Sequence, residues 1–132
     1  MTTSAPPGSS LSLHERLPAT MRSAATARQA VRRFAADLDV DVDGLVLAVS
    51  EAVANVAAYA YGDGVAGTVE LDGSVTPYEV TVVVRDRGRG MGGSQAHGAG
   101  FGLEIIRRVA QHVALADSRQ GVALTMRFRR GA

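Results

Sequence analysis

The strongest constraint on the fold is a long apolar segment, LVLAVSEAVANVAAYAY, over residues 45–61, in which Glu51 is the only charged residue. This pattern predicts a helix, and a helix that is apolar on most sides must be covered by other elements. Glu51 and Asn55 are four residues apart, so their side chains project from the same helical face. A buried lone carboxylate is costly unless it is paired or binds a ligand. The pair therefore predicts a functional site.

The rest of the chain predicts helices that are clustered rather than strictly alternating with strands. Strands are expected at 11–18, 68–75, 78–85, 113–115 and 122–128, and helices at 19–38, 45–61 and 102–111. This order favours an α+β two-layer sandwich, whose mixed, mostly antiparallel sheet is covered on one face by helices. The strand at 78–85 is expected to be central. Residues 1–9 are rich in Ser, Thr, Pro and Gly and are predicted to be disordered, which leaves 10–132 as a single domain.

Composition excludes several kinds of site. The 132-residue chain has no cysteine, so disulfides, thiol catalysis and cysteine metal sites are ruled out. All 14 basic residues are arginines, which excludes a nucleotide site built on a Walker lysine. The net charge of +1 gives no support for a nucleic-acid or membrane partner. Because the N-terminus lacks the layout of a signal peptide, a cytoplasmic location is expected.

An acidic residue and two glycines follow the predicted strand at 78–85. Asp86 stands where this apolar strand enters a glycine-rich turn, and a carboxylate there can accept a hydrogen bond from an exocyclic amine such as that of adenine. Gly88 and Gly90 would let a planar ring approach the backbone without a Cβ clash. This turn therefore predicts the base-binding part of a nucleotide site.

A second glycine cluster precedes the third predicted helix. The free amide groups of Gly98, Gly100 and Gly102, together with the helix N-terminus, would form a phosphate cradle. Asn55 can supply an amide oxygen to Mg²⁺, an ion that prefers oxygen ligands and phosphate bridges. Glu51, one turn earlier, is placed to accept a proton from an attacking hydroxyl or water. Each signal is weak alone, but the three in this order are specific.

At these residues the chain resembles the GHKL ATPase superfamily, which has the Bergerat, or histidine-kinase-like ATPase, fold. Residues 51–55 match its N box, 86–90 its first glycine box and 98–102 its second. The phrases AVSEAVANV, VVRDRGRGM and GAGFGLEIIRRVA look most like those of bacterial anti-sigma-factor serine/threonine kinases. The resemblance covers about residues 10–130.

The resemblance implies a cofactor, a reaction and protein partners. ATP would place its adenine on Asp86 and its phosphates under the second glycine box, with Mg²⁺ on Asn55. Glu51 would deprotonate a serine or threonine of an anti-anti-sigma (STAS-type) partner, which takes the γ-phosphoryl group. The unphosphorylated partner would compete with a sigma factor for this protein. Neither nucleic acid nor a membrane would be bound directly.

Such proteins are commonly homodimers that pack through the N-terminal strand and first helix. The corresponding expectation here is an exposed apolar face on the first helix, around Met21, Ala24 and Val31.

Departures from the family pattern keep a second interpretation open. The stretch between the glycine boxes, 91–97, is short, Ala96 and His97 stand where an arginine is frequent, and Val122 stands where threonine is usual. The alternative is a catalytically weak or inactive nucleotide-binding module that regulates its partner by occupancy. Retention of Glu51 favours the kinase. A domain cut from a histidine kinase is a further rival, against which stands the lack of a phosphoacceptor-histidine helix pair.

Overall fold

Three α-helices and five strands make up the described part of the computed structural model, which covers residues 11–62, 64–88 and 103–131. In chain order they are β1 (Ser12–Pro18), α1 (Met21–Ala35), α2 (Val42–Asn55), β2 (Thr68–Val75), β3 (Glu79–Asp86), α3 (Leu103–Val109), β4 (His112–Ser118) and β5 (Gly121–Arg129). A π-helical turn, Val56–Ala60, continues α2 directly. Helix α2 begins at a conventional cap, because the Asp41 side chain accepts a hydrogen bond from Gly44 N at 3.0 Å.

The strands form one sheet in the order β1-β2-β3-β5-β4, and every pair is antiparallel. Strand β3 is central, and its burial alternates along its length, with the residues at even positions buried. One face of β3 and β5 is therefore covered and carries Val80, Val82, Val84, Leu124, Met126 and Phe128. The other face is open. This is the expected α+β sandwich with helices on one side of the sheet, although the described strands form a wholly antiparallel sheet rather than the predicted mixed one.

Helices α1 and α2 supply the opposite half of the core. Fully buried side chains of α1 and α2 include Ala27, Val31, Leu45, Val49 and Val53. By length and composition the 19-residue helical stretch Val42–Ala60 could also cross a membrane, with a mean hydropathy of 1.4. Its apolar side chains are instead those that cover the sheet, which is the ordinary reason for such a composition in a core helix.

The predicted elements are all found, with shifted ends. Helix α1 begins at Met21 rather than at residue 19, because the N-cap residue Thr20 has an extended backbone, with φ −129° and ψ 158°. Ala19, just before the cap, donates its N–H to Gly67 O at 2.9 Å. Strand β4 is longer than predicted, since it pairs with β5 from His112 to Ser118. The second predicted helix does continue to Ala60, but it widens into the π-helical turn after Asn55.

The expectation of an exposed apolar face on α1 is wrong. Met21 is 63% exposed, but Ala24 and Val31 are only 6% and 0% exposed. The apolar stripe of α1 is the stripe that packs into the core, so it offers no free surface for a second copy.

Candidate functional site

Asp86 is the one carboxylate that the structure buries in the predicted site, with 6% of its surface exposed. It is the last residue of β3 and lies on the helix-facing side of the sheet, one register step beyond Val84. Its Oδ1 accepts hydrogen bonds from Gly88 N at 2.8 Å and from Val122 N at 3.3 Å. Burial raises the pKa of Asp86 above its usual value, and the two N–H donors only partly oppose that rise.

Two glycines allow the backbone to pack tightly around this carboxylate. Gly121 has a φ of +136°, and a Cβ at that position would lie 2.0 Å from Asp86 O. A Cβ on Gly88 would lie 2.0 Å from Ala60 O, at the end of the π-helical turn. The loop after Asp86 is thus pressed against the end of the α2 segment, and no larger residue fits either contact.

Tyr61 fixes the same junction by hydrogen bonds. Its hydroxyl donates to Thr68 O at 2.6 Å and accepts from Arg87 N at 3.0 Å. Gly67 lies flat against the ring, since a Cβ there would be 2.3 Å from it. Tyr61 therefore ties the end of the α2 segment to the start of β2 and to the turn that follows Asp86.

Glu51 and Asn55 lie on α2 just before this junction, and both are half-buried. The expectation that the Glu51 carboxylate is fully buried is wrong, because the face of α2 that carries Glu51 is partly open to solvent. The buried-carboxylate argument applies to Asp86 instead. Asn55 is the last residue before the helix widens, and single π-helical turns within helices occur frequently at functional sites. The roles assigned to Glu51 and Asn55 stay predictions.

A cleft of about 300 Å³ lies beside Asp86, formed by the end of β3 and the β4–β5 hairpin. Its walls are residues 85–87, 116–118 and 120–123. Neither described hydrogen bond to Asp86 uses Oδ2, so among the described residues that oxygen is the acceptor left for a ligand amine. Gly90, Gly98, Gly100 and Gly102 lie outside the described residues, so the predicted phosphate cradle stays a prediction.

The described residues fit the base of a nucleotide. The buried Asp86 carboxylate, whose Oδ2 accepts neither described hydrogen bond, suits the amino group of the base. Within residues 11–62, 64–88 and 103–131 no three His, Asp or Glu side chains group in a way that would hold a metal by themselves. A metal ion at Asn55 would therefore need ligands from the phosphates, which is how proteins usually hold Mg²⁺.

Comparisons with known proteins match this geometry. Residues 17–128 match the histidine kinase-like ATPase domain family. The chain belongs to this family. It is accordingly a nucleotide-binding ATPase-type domain, and the region matched contains Glu51, Asn55 and Asp86. No curated protein matches the chain significantly in sequence.

Two solved structures share the fold of this ATPase-family chain. The RsbU and RsbW domains of Rv1364c from Mycobacterium tuberculosis superpose with a TM-score of 0.72 at 24% identity, covering 92% of this chain and 33% of that one. The blue-light activated histidine kinase EL346 of Erythrobacter litoralis gives a TM-score of 0.59 at 21% identity, covering 79% and 39%. The chain thus spans about a third of the length of the first protein and two fifths of the second.

Sequence reasoning missed three parts of the site. Tyr61 was not among the predicted site residues, and its hydrogen bonds to two loops carry no sequence signal. Val122 was noted only for its side chain, whereas its backbone N–H holds Asp86. Gly121 was not among the predicted site residues, although its place before the last strand could have indicated a close backbone contact.

Proposed function

We propose that this domain binds ATP with Mg²⁺ and transfers the γ-phosphoryl group to a serine or threonine of an anti-anti-sigma (STAS-type) protein. While its STAS-type partner is phosphorylated it would hold a sigma factor, because only the unphosphorylated partner would compete for the same protein. The domain would act in the cytoplasm. The single observation that carries the nucleotide part is the buried Asp86 carboxylate, held by two backbone N–H groups at the edge of a cleft.

The proposed assignments follow the site's layout. Asp86 would accept the amino group of adenine, with Gly88 and Gly90 beneath the ring. Gly98, Gly100 and Gly102 would bind the phosphates. The assignment of those three glycines to phosphate binding rests on the family membership and the sequence pattern alone.

Glu51 is proposed as the general base and Asn55 as the Mg²⁺ ligand. Their support is position: both lie on the open face of the last two turns of α2, directly before the segment that contacts Gly88. A half-exposed carboxylate can meet a hydroxyl that a partner protein brings to the site. The similarity to a structure containing an RsbW domain supports a partner-switching regulator, although that likeness alone establishes only the fold.

The decisive experiment is phosphoryl transfer from γ-labelled ATP to purified STAS-type proteins. Glu51→Gln should leave ATP affinity within about twofold but slow transfer by about 10²- to 10⁴-fold, the usual contribution of a general base. Glu15→Gln, the same chemical change on β1, is the matched control and should transfer at the wild-type rate.

The alternative is a nucleotide-dependent binding module without kinase activity. It predicts that wild-type protein binds ATP, labels no partner, and changes its affinity for a sigma factor with nucleotide alone. Labelling that depends on Glu51 would exclude it. Equal labelling by wild type and Glu51→Gln would remove the base from the proposed mechanism.

A further inference from the structure

A basic cleft lies at the end of the sheet opposite Asp86. It has a volume of about 570 Å³ and is formed where the β2–β3 turn, the start of β4 and the end of β5 meet. Its lining residues, which define the basic cleft below, are Pro77, Tyr78, Glu79, Gln111, His112, Arg127, Arg129 and Arg130. Because β3 runs eight residues from Glu79 to Asp86, the two sites are about 23 Å apart.

The β2–β3 turn that forms one wall is held by its own side chain and by the C-terminal segment. Thr76 Oγ1 accepts hydrogen bonds from the N–H groups of Tyr78 and Glu79, each at 3.1 Å. Arg130 N donates to Tyr78 O at 2.9 Å. The Arg130 side chain reaches Thr76 O at 2.8 Å and Asp39 Oδ1 at 2.7 Å. The wall is therefore preorganised.

The cleft carries unbalanced positive charge. Arg127 faces Glu79 at 3.7 Å, and Arg130 is paired with Asp39. Arg129 has no carboxylate within 4.0 Å among residues 11–62, 64–88 and 103–131, while its backbone N–H is anchored on Gln111 Oε1 at 2.6 Å. The backbone of Arg129 is therefore fixed, and its guanidinium is available to bind a ligand.

An exposed aromatic ring borders the same charge. Tyr78 is 79% exposed, the highest exposure among the large apolar side chains of the described residues. Tyrosine and arginine are the residue types enriched at protein interfaces and at their energetic centres. A fixed backbone beneath an exposed ring lowers the entropy cost of using it for binding.

We propose that the basic cleft binds a short acidic peptide segment of a partner protein. Arg129 would bind its carboxylates, and Tyr78 would pack against an adjacent apolar side chain. Discrete carboxylates fit better than a polyphosphate backbone, because Glu79 and Asp39 place negative charge at the same end and the net charge is only +1. The inference is independent of the proposed kinase activity.

The test uses a fluorescein-labelled hexaglutamate peptide ending in phenylalanine, with the hexaglutamine analogue as reference, followed by anisotropy. Arg129→Glu should weaken hexaglutamate binding at least about tenfold, since it replaces an attraction with a repulsion. Tyr78→Ala should weaken it about threefold or more. Arg22→Glu, the same charge reversal in the first turn of α1, should leave it unchanged. Circular dichroism establishes that each variant is folded.

Saturating ATP and the Asp86→Asn change should leave peptide affinity unaffected, because the two sites are at opposite ends of β3. Equal binding of the glutamine peptide, equal loss in Arg129→Glu and Arg22→Glu, or displacement by ATP would each overturn the proposal. Tighter binding of a dT6 oligonucleotide with the same dependence on Arg129 would assign the cleft to nucleic acid instead.

Discussion

Asp86→Asn separates the structural role of this residue from its proposed role toward adenine. The amide oxygen of Asn can replace Oδ1, so the hydrogen bonds from Gly88 N at 2.8 Å and Val122 N at 3.3 Å are retained. The second carboxylate oxygen becomes an NH₂ group. That group would face the donor amine of adenine, so a charge-assisted acceptor is replaced by a second donor.

The two expected effects have opposite signs. Loss of the bond to adenine should weaken ATP binding by about 1–3 kcal/mol, or about 5- to 150-fold in Kd. Stability should not fall. Burial raises the pKa of Asp86 in the folded state. Asp86 therefore stabilises the fold below its unfolded-state pKa, where it is protonated, and this stabilisation is lost as pH rises through the folded-state pKa. Removing this charge at neutral pH therefore leaves the free energy of unfolding unchanged or raises it.

Isothermal titration calorimetry with Mg-ATP and a urea unfolding curve on the same protein measure both quantities. Asp37→Asn, the same substitution on an exposed loop between α1 and α2, is the control and should change neither. Unchanged ATP affinity in Asp86→Asn would refute the adenine role. Loss of affinity accompanied by an equal loss of stability would mean that Asp86 only holds the loop.

Three further substitutions test other contacts in the structure. Gly88→Ala should lower the free energy of unfolding by about 1–3 kcal/mol, because its methyl group meets Ala60 O; unfolding at wild-type urea concentrations would contradict that contact. Tyr61→Phe should cost about 1–2 kcal/mol through its two lost hydrogen bonds, again by urea unfolding. Asp72 raises the pKa of His14 by a hydrogen bond at 2.5 Å, so Asp72→Asn should lower that pKa toward 6.5 in an NMR titration. Because the pKa is raised on folding, this pair contributes stability below pH 6.5 that is lost as pH rises through the folded value.

The fold was predictable because local periodicity and burial agree in this chain. The alternating valines at 80, 82 and 84 indicated a central strand, and the apolar run of α2 indicated a core helix. The start of α1 was not predictable, because the residues before it are held by a contact with a distant segment, the hydrogen bond from Ala19 N to Gly67 O. The predicted interface on α1 was wrong for a related reason. An apolar stripe on a helix has the same sequence pattern whether it faces a core or a partner.

One residue of the candidate site could be singled out from its position in the sequence. Asp86 could be chosen from its place at a strand end, and the structure adds its burial and its donors. For Glu51 the burial argument failed although the residue was singled out, since the open side of α2 depends on which elements pack around it. Tyr61 could not be chosen, because its importance lies in contacts with two segments 7 and 26 residues away.

These contacts connect the base-binding turn to the end of the α2 segment. Asp86 binds the N–H groups of Gly88 and Val122, Gly88 rests on Ala60 O, and Tyr61 bonds the residue between Asp86 and Gly88. A displacement of the base-binding turn must therefore move the end of the α2 segment as well. Substitutions that loosen this junction should show coupled rather than additive effects, since they share partners within one network. The proposed base-binding residue and the proposed metal- and proton-binding residues of α2 are therefore held in fixed relative positions through Ala60 and Tyr61, to which the proposed function assigns no chemical role.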